Sequence, residues 1–519
     1  MSRADVCLLL EGTYPFVRGG VSSWVHQIIS GLPELTFSLV FIGSRRADYA
    51  ERKYTLPENV AHLETHYLED AYAGLEPLPR RVSERKLEPI VDLHEYLLSR
   101  AARCTRHLAA PDAAPAAEQQ RLERAVDVVL TTLEQSDGIS AAEFLFGSGS
   151  WELIRRRHLE GDASASFIDY FWTIRILHGP MFQLARMARV IPDASAYHAV
   201  STGYAGLLGA LLERQRRRPF ILTEHGIYTK ERRIDLNQAE WLDQLGPPGA
   251  KNPEAGAHLR KLWIRCFESL GRLAYRSANP ILSLYAGNRA RQIDDGADPA
   301  RTRIIVNGID TRRFEPARAA RPERTPRVIG LIGRIVPIKD VKTFVRTMGL
   351  VSQELPDVEG WIIGSADEDS SYDVECRLLV ESLGLGERVK FLGHQNVAEI
   401  LPKLGLLMLT SISEAQPLAI LEALAAGVPC VATDVGACRE QIEGTTPDDR
   451  ALGHAGRVVP FADHQALGRA AVELLTQADT WRSCQRAGIE RVARYYDDAQ
   501  MLASYRDVYR DALGATWQA

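Results

Sequence analysis

The sequence predicts an α/β chain of two doubly wound domains, and three observations point there. Apolar runs of four to eight residues alternate with helical stretches, most regularly after residue 328. A Pro- and Arg-rich stretch of low apolar content, "RFEPARAARPERTPR" (313–327), divides two such series. At 519 residues and 45% hydrophobic, the chain is long enough for a full core in each of two large domains. Strands alternating with helices form parallel βαβ units, and these wind into open sheets.

The elements follow in order. "VCLLLEG" (6–12) reads as a buried strand, and "TYPFVRGGVSSWVHQIISGL" as a glycine loop and a helix with Ser22 or Ser23 at its N-cap. "FSLVFIG" (37–43) is a second strand. Residues of about 80–165 turn Arg-, Glu- and Ala-rich with helical periodicity, which predicts a helical insertion with a flexible joint at "APDAAPAA" (110–117). Strand patterns resume at "AYHAVS" (196–201), "PFILTEHG" (219–226), "PILSLY" (280–285) and "RIIVNGID" (303–310). Beyond the linker come "VIGLIGRI", "VEGWIIGS", "VKFLGH", "LGLLMLTS" and, after a helix closed by Gly427 and Pro429, "PCVATD" and "GRVVP". The expected domains are 1–312 and 327–490, with 491–519 a C-terminal helix that crosses back to the first domain. Strand carboxyl ends should face a cleft between them, where ligands of open sheets collect.

Composition narrows the function. With 62 basic and 67 acidic residues the net charge is −5, so the chain has no global basic field of the kind nucleic-acid binders carry. Seven cysteines, odd in number and without a C-x-x-C pair, suit a reducing cytoplasm. The N-terminal apolar run is too short for a signal peptide and no later stretch reaches the length of a membrane span.

Two carboxylates and two cations draw attention in the second half. In "SISEAQPLAILEALAAG" (411–427), Glu414 lies in a polar break after an expected strand and Glu422 lies inside the following helix. The helix start near Pro417 and Leu418 offers bare N–H groups, and acidic residues placed like Glu422 can accept two hydrogen bonds from a ribose diol. In "GLIGRIVPIKDVKTF" (330–344), Arg334 follows the first strand of the second domain and Lys339 precedes the next helix. An Arg fork and a Lys point charge suit a diphosphate. Each residue alone also has an ordinary explanation as a loop cation, a cap or a solvent-facing side chain. Elsewhere, Asp367-Glu368-Asp369 imitates a metal-binding D-x-D but sits before a helix, where acids commonly cap, and no metal is expected. The basic knot "ERQRRRPF" (213–220) and the aromatic "SFIDYFWTIRILHGPMF" (166–182) read as a helix end and a helix stripe.

Taken together, the E-x7-E spacing, the upstream Arg and Lys, "VNGID" before the linker and "TDVGACRE" after the Glu helix resemble the retaining family 4 glycosyltransferases with the GT-B fold. The resemblance implies a nucleotide-sugar donor, most simply UDP-linked, a saccharide acceptor and no metal or other cofactor. It assigns Arg334 and Lys339 to the donor diphosphate, Glu422 to the ribose and Glu414 to the donor sugar. The backbone around Gln416, Pro417 and Leu418 would touch that sugar. Gly19 and Gly20 match the family's glycine loop, and His225 in "LTEHGIY" would approach the reacting sugar. The N-terminal stretches further resemble cytosolic glycosyltransferases of bacterial exopolysaccharide synthesis, which implies docking on an inner-membrane synthase complex. A nucleotide-sugar epimerase on the same scaffold, or a non-catalytic nucleotide-binding subunit, remain the alternatives.

Overall fold

The computed structural model describes residues 3–49, 51–70, 75, 82–98, 114–160, 166–238, 253–367 and 369–514. The chain divides into two compact units: Met1–Ser283 with Arg289–Arg303 and Arg506–Ala519, and Leu284–Asn288 with Ile304–Tyr505.

The first unit is built on strands β1 (Ala4–Glu11), β2 (Phe37–Gly43), β3 (Val60–Tyr67), β4 (Ala194–Ala199), β5 (Phe220–Glu224), β6 (Ile281–Ser283) and β7 (Thr302–Ile304), in the order β3-β2-β1-β4-β5-β6-β7. Pairing from β3 through β6 is parallel. β1 lies at the centre, with Cys7 opposite both Ser38 and Tyr197, and its residues Val6 to Leu10 are wholly buried. That is the continuous apolar run of a strand covered on both faces. The helix Gly20–Gly31 turns Trp24, Val25, Ile28 and Ile29 inward. It starts before the expected Ser22 or Ser23 cap: Gly19 holds the cap position and Ser22 is itself buried. The apolar face sets that phase, since Trp24 and Val25 can reach the core only if the preceding turn is already helical.

Between β3 and β4 come the helices Glu84–Leu98, Ala114–Thr131, Ala141–Phe146, Ser148–Glu160 and Phe167–Val190. Their apolar faces are continuous with the sheet core, with Leu87, Val126 and Leu177 in one cluster with Leu9 and Leu222. Of the expected joint at 110–117, residues 110–113 lie outside the described residues and 114–117 open a helix. The basic knot ties the sheet margin together. Arg216 donates to the carbonyls of Ala188, Ile191 and Pro192, Arg214 pairs with Asp127, and Arg217 ends the helix Tyr204–Arg216 in a left-handed conformation. The C-terminal helix Asp498–Leu513 adds Tyr509 to this unit, hydrogen-bonded at 2.8 Å to buried His198, while Arg506 pairs with Glu34.

The second unit has strands β8 (Val328–Ile332), β9 (Glu359–Ile363), β10 (Val389–Gly393), β11 (Leu406–Leu409), β12 (Cys430–Thr433) and β13 (Gly456–Val459). They are parallel throughout, in the order β10-β9-β8-β11-β12-β13. The stretch expected to be an open linker is instead packed on this unit. It forms short helices at Thr311–Phe314 and Glu315–Ala319, buries Phe314, and lays the Arg321 guanidinium over the Trp481 ring while donating to the carbonyls of Leu401 and Leu404. Its arginines find carbonyls to bond, which a count of apolar residues does not register. Behind the sheet, Arg491 is fully buried with Asp449 at 2.6 Å and donates to the carbonyls of Ile442, Asp449 and Gly453.

Both sheets reverse their strand order, the first between β1 and β4 and the second between β8 and β11. At such a switch the connections leave in opposite directions and open a crevice at the strand carboxyl ends.

Candidate active site

In the second unit the crevice is framed by the loops after β8 and β11. The chain leaves β8 through Gly333 and the exposed Arg334, makes a 3-10 turn at Pro337–Lys339 and enters the helix Val341–Glu354, capped by Asp340. Gly333 donates its N–H to Ile363 and packs closely on β9's end: a Cβ at Gly364 would sit 1.8 Å from the Gly333 carbonyl oxygen. The loop after β11 is stitched onto this turn. The Thr410 hydroxyl donates to the carbonyls of Lys339 and Asp340, and the Ile412 N–H to that of Ile338.

The stitching fixes one contact across the switch. The Lys339 ammonium donates to Glu414 Oε1 at 2.5 Å, and the Ser411 hydroxyl donates to the same oxygen at 2.6 Å. The two charged side chains are only 21% and 12% exposed, so the pair is screened far less than a surface pair. Lys339's stem runs past Gly333, where a Cβ would lie 3.6 Å from its Cε, so Arg334 follows directly on the residue Lys339 touches. Glu414 is held from the other side by Gly436. That residue has φ of +55°, and a Cβ there would meet the Glu414 carbonyl oxygen at 2.3 Å.

Gln416 is buried, and its Oε1 accepts the backbone N–H of Asn307 at 2.8 Å, which anchors "VNGID" to the strand-end loop. Pro417 caps the helix Leu418–Ala425, whose first turn has no side-chain cap and no acidic residue. The Ile420 N–H turns back to the Pro417 carbonyl, and the N–H groups of Leu418 and Ala419, with no side-chain cap, can meet an anion or a hydroxyl. Glu422 lies one turn in and is partly buried; burial lifts its pKa to about 7, against an opposing pull from Arg313. The acidic run at 367–369 is a cap: Asp369 accepts the Tyr372 N–H at the start of Ser370–Ser382, Asp367 bonds Ser365, and Glu368 lies outside the described residues.

Gly19, Gly20 and His225 belong to the first unit, at its own strand ends. Neither glycine is demanded by the fold, since a Cβ at either would meet nothing within 4 Å. The helix they open, Gly20–Gly31, has no side-chain cap and no acid in its first turn. His225 follows β5 and is buried, with its ring edge-on to Trp24 at 4.7 Å. Burial pushes its pKa down to about 3, so the imidazole is neutral near pH 7.

Two carboxylates beside these residues escaped the sequence reading. Glu11, at the end of β1, accepts from the Tyr228 hydroxyl, the Ser201 hydroxyl and the Ala205 N–H. Glu224, the residue before His225, is completely buried and takes four donors: the Tyr275 hydroxyl at 2.5 Å, the Thr202 hydroxyl at 2.9 Å, Gln292 Nε2 at 3.1 Å and the Tyr228 N–H at 3.3 Å. Even so, desolvation raises its pKa to about 7. The visible signal was an acid at the end of a run otherwise as apolar as "FILT".

Comparison with known proteins agrees with this architecture. Residues 4–300 match the family described as "Domain of unknown function (DUF3492)", and residues 326–477 match "Glycosyl transferases group 1". The lipopolysaccharide core biosynthesis mannosyltransferase LpsB of Rhizobium meliloti is 27% identical over 219 residues, 40% of this chain and 61% of that protein. The D-inositol 3-phosphate glycosyltransferase of Salinispora tropica is 31% identical over 246 residues, 42% of this chain and 47% of that protein. The N-acetyl-alpha-D-glucosaminyl L-malate synthase of Bacillus anthracis is 33% identical over 136 residues, 26% of this chain and 34% of that protein. The chain thus spans from about a third to three fifths of these curated relatives. Among solved structures, Anabaena HepE in complex with UDP has a TM-score of 0.57 at 14% identity, covering 98% of this chain and all of that one. The sucrose-phosphate synthase of Thermosynechococcus elongatus has a TM-score of 0.54 at 17% identity, covering 98% and 99%. With two parallel sheets of seven and six strands in the GT-B arrangement, the chain belongs to the DUF3492 family and carries a group 1 glycosyltransferase domain in its second unit.

Proposed function

We propose that the protein is a retaining glycosyltransferase that moves a hexose or N-acetylhexosamine from a UDP-sugar to a growing polysaccharide. The observation that carries this reading is the Lys339–Glu414 contact across the β8/β11 switch. It puts a cation for phosphate oxygens and a carboxylate for sugar hydroxyls side by side, next to an uncapped helix start. Arg334 and Lys339 neutralise the departing diphosphate, so no metal is required for that task. Glu414 and the backbone of Gln416 to Leu418 hold the sugar, and Glu422 takes the ribose hydroxyls. From the first domain, Gly19 and Gly20 let backbone N–H groups approach the donor's diphosphate. His225, neutral through burial, offers hydrogen bonds without adding positive charge near the reacting carbon. The bond from the anomeric carbon to the diphosphate breaks with its electron pair going to UDP. The acceptor oxygen bonds to the same face, and its proton passes to the departing phosphate oxygen. Positioning and charge stabilisation supply the acceleration.

The N-terminal stretches resemble PelF, the cytosolic glycosyltransferase of Pel exopolysaccharide synthesis, so we assign the protein to bacterial exopolysaccharide synthesis beside an inner-membrane synthase. No helix among the described residues is long and apolar enough to cross a membrane. Thermal protection by a panel of UDP- and GDP-sugars tests the donor, because a ligand bound to the native state alone raises Tm. UDP release that depends on added saccharide supports transfer. Interconversion of sugars without acceptor would make the protein an epimerase, and full polymer production by Lys339→Ala would make it a non-catalytic subunit.

A further inference from the structure

His225 stands in the turn from Glu224 to Tyr228, which leads from β5 into the helix Tyr228–Gln238. The turn is closed from within. Glu224 Oε1 reaches past His225, Gly226 and Ile227 to accept the Tyr228 N–H at 3.3 Å, and the same oxygen accepts the Thr202 hydroxyl from the loop after β4 at 2.9 Å. Oε2 accepts from two further segments, the Tyr275 hydroxyl of the helix Pro253–Ser277 and Gln292 Nε2 of the helix Ala286–Asp294. All four acceptor positions of the carboxylate are filled, and Glu224, Thr202, Tyr275 and Gln292 are each wholly buried.

The rest of the turn has little freedom. Ile227 is buried, and a Cβ at Gly226 would stand 1.8 Å from Glu231 Oε1. The His225 ring is held separately, edge-on to Trp24. A carboxylate in the core is a poor way to gain stability, since apolar residues of the same volume often do as well or better. What a fully satisfied network adds is rigidity and a single arrangement of the groups it bonds. Here those groups lie on both sides of His225.

We propose that Glu224 is the positioning residue of His225: its carboxylate fixes the turn that presents the imidazole, and its complete burial keeps it from touching substrate. The inference rests on the role given to His225 above. It assigns the effect to the reach of the side chain rather than to its charge, and two substitutions separate the two. Glu224→Gln keeps the length and one oxygen for Tyr228 and Thr202. Its amide group then faces the Tyr275 hydroxyl, which can reverse to accept, and Gln292, whose Oε1 is buried without a partner among the described residues. Glu224→Asp keeps the carboxylate but draws it back by one methylene, away from the Tyr228 N–H.

The test measures UDP release from UDP-glucose and from UDP-N-acetylglucosamine, with urea unfolding as the control for folding. Glu224→Asp should lower kcat about a hundredfold with KM for the donor changed by less than about threefold, as for a reacting group displaced by about 1 Å, while Glu224→Gln stays within about tenfold of the wild type. In a His225→Ala background Glu224→Asp should cost no more than about twofold, because the group it positions is gone. If Glu224→Asp does not fold, Tyr275→Phe removes one anchor of Oε2; it should lower kcat about tenfold and lose that effect beside His225→Ala. Losses that multiply in the double variant overturn the proposal and make Glu224 a structural residue. A Glu224→Gln variant weaker than Glu224→Asp also overturns it, since charge or proton would then be the working feature.

Selective isotope labelling of histidine gives a reading independent of turnover. The His225 imidazole resonances, assigned by their loss in His225→Ala, should shift or broaden in Glu224→Asp and hold in Glu224→Gln. Resonances that hold in both variants overturn the proposal. A wild type that releases no UDP from either donor, with His225 resonances that move in Glu224→Asp alone, refutes the transferase reading and supports the positioning of His225 by Glu224.

Discussion

Replacing Glu224 by Gln asks which of two opposed effects governs a wholly buried carboxylate. Desolvation pushes its pKa up from 4.5 to about 7, although four hydrogen-bond donors favour the ionised form. A folded-state pKa above the unfolded one means that the native protein binds the proton more tightly. The resulting stabilisation is fully present below about pH 4.5 and is lost as pH rises to about 7. A rise of that size corresponds to about 3 kcal/mol in all, of which about 2–3 kcal/mol falls between pH 5 and 8. Glu224→Gln removes the titration but keeps the shape and one acceptor oxygen. Urea unfolding of both proteins at several pH values gives the difference, and the other carboxylates cancel in it. We expect wild-type stability relative to the variant to fall by that amount from pH 5 to pH 8. A difference that is flat, or that grows with pH, would show that the hydrogen bonds outweigh burial and that Glu224 is ionised throughout.

Lys339→Ala should abolish thermal protection by UDP-sugar, and because it leaves Glu414 without its cation it should also lower stability by about 1–3 kcal/mol, read by urea unfolding. Gly436→Ala forces a Cβ within 2.3 Å of the Glu414 carbonyl oxygen at a left-handed φ; a loss of about 1–3 kcal/mol with weakened donor protection is expected. Gly19→Ala and Gly20→Ala should leave Tm unchanged, since a Cβ there meets nothing within 4 Å, while UDP-sugar affinity falls; unchanged affinity would remove the loop from the donor site. Because burial raises Glu422 to about 7, UDP affinity should climb from pH 6 to 8 as the carboxylate ionises and accepts the ribose hydroxyls. Glu422→Gln should flatten that profile in calorimetric titrations.

Much of the architecture was legible because parallel sheets leave a strong trace. β1 is apolar from Val6 to Leu10 and β11 is apolar throughout, and each is followed by a turn and a helix. The positions of Lys339 and Glu414 at two strand ends could be read as well, though not that β8 and β11 are neighbours, because strand order is a long-range property. The helix at Gly20 began earlier than expected because burial of Trp24 and Val25 outweighed the capping preference of Ser22 and Ser23. The stretch 313–327 looked like a linker because arginine counts as solvent-seeking, whereas Arg321 is anchored on Trp481 and two carbonyls. Glu11 and Glu224 stayed hidden for a related reason: their donors come from Tyr228, Tyr275 and Gln292, up to 217 residues away.

The Lys339–Glu414 couple also bears on which molecules the crevice admits. A pocket that already carries its own counter-ion gives a bare phosphate little reason to stay, because the newcomer must repel one member of the couple to approach the other. A ligand with anionic oxygens at one end and hydroxyls a few ångströms away can engage both at once. Under the proposed function the couple serves as a coincidence detector, rejecting abundant inorganic anions and free sugars alike in favour of the conjugate of the two.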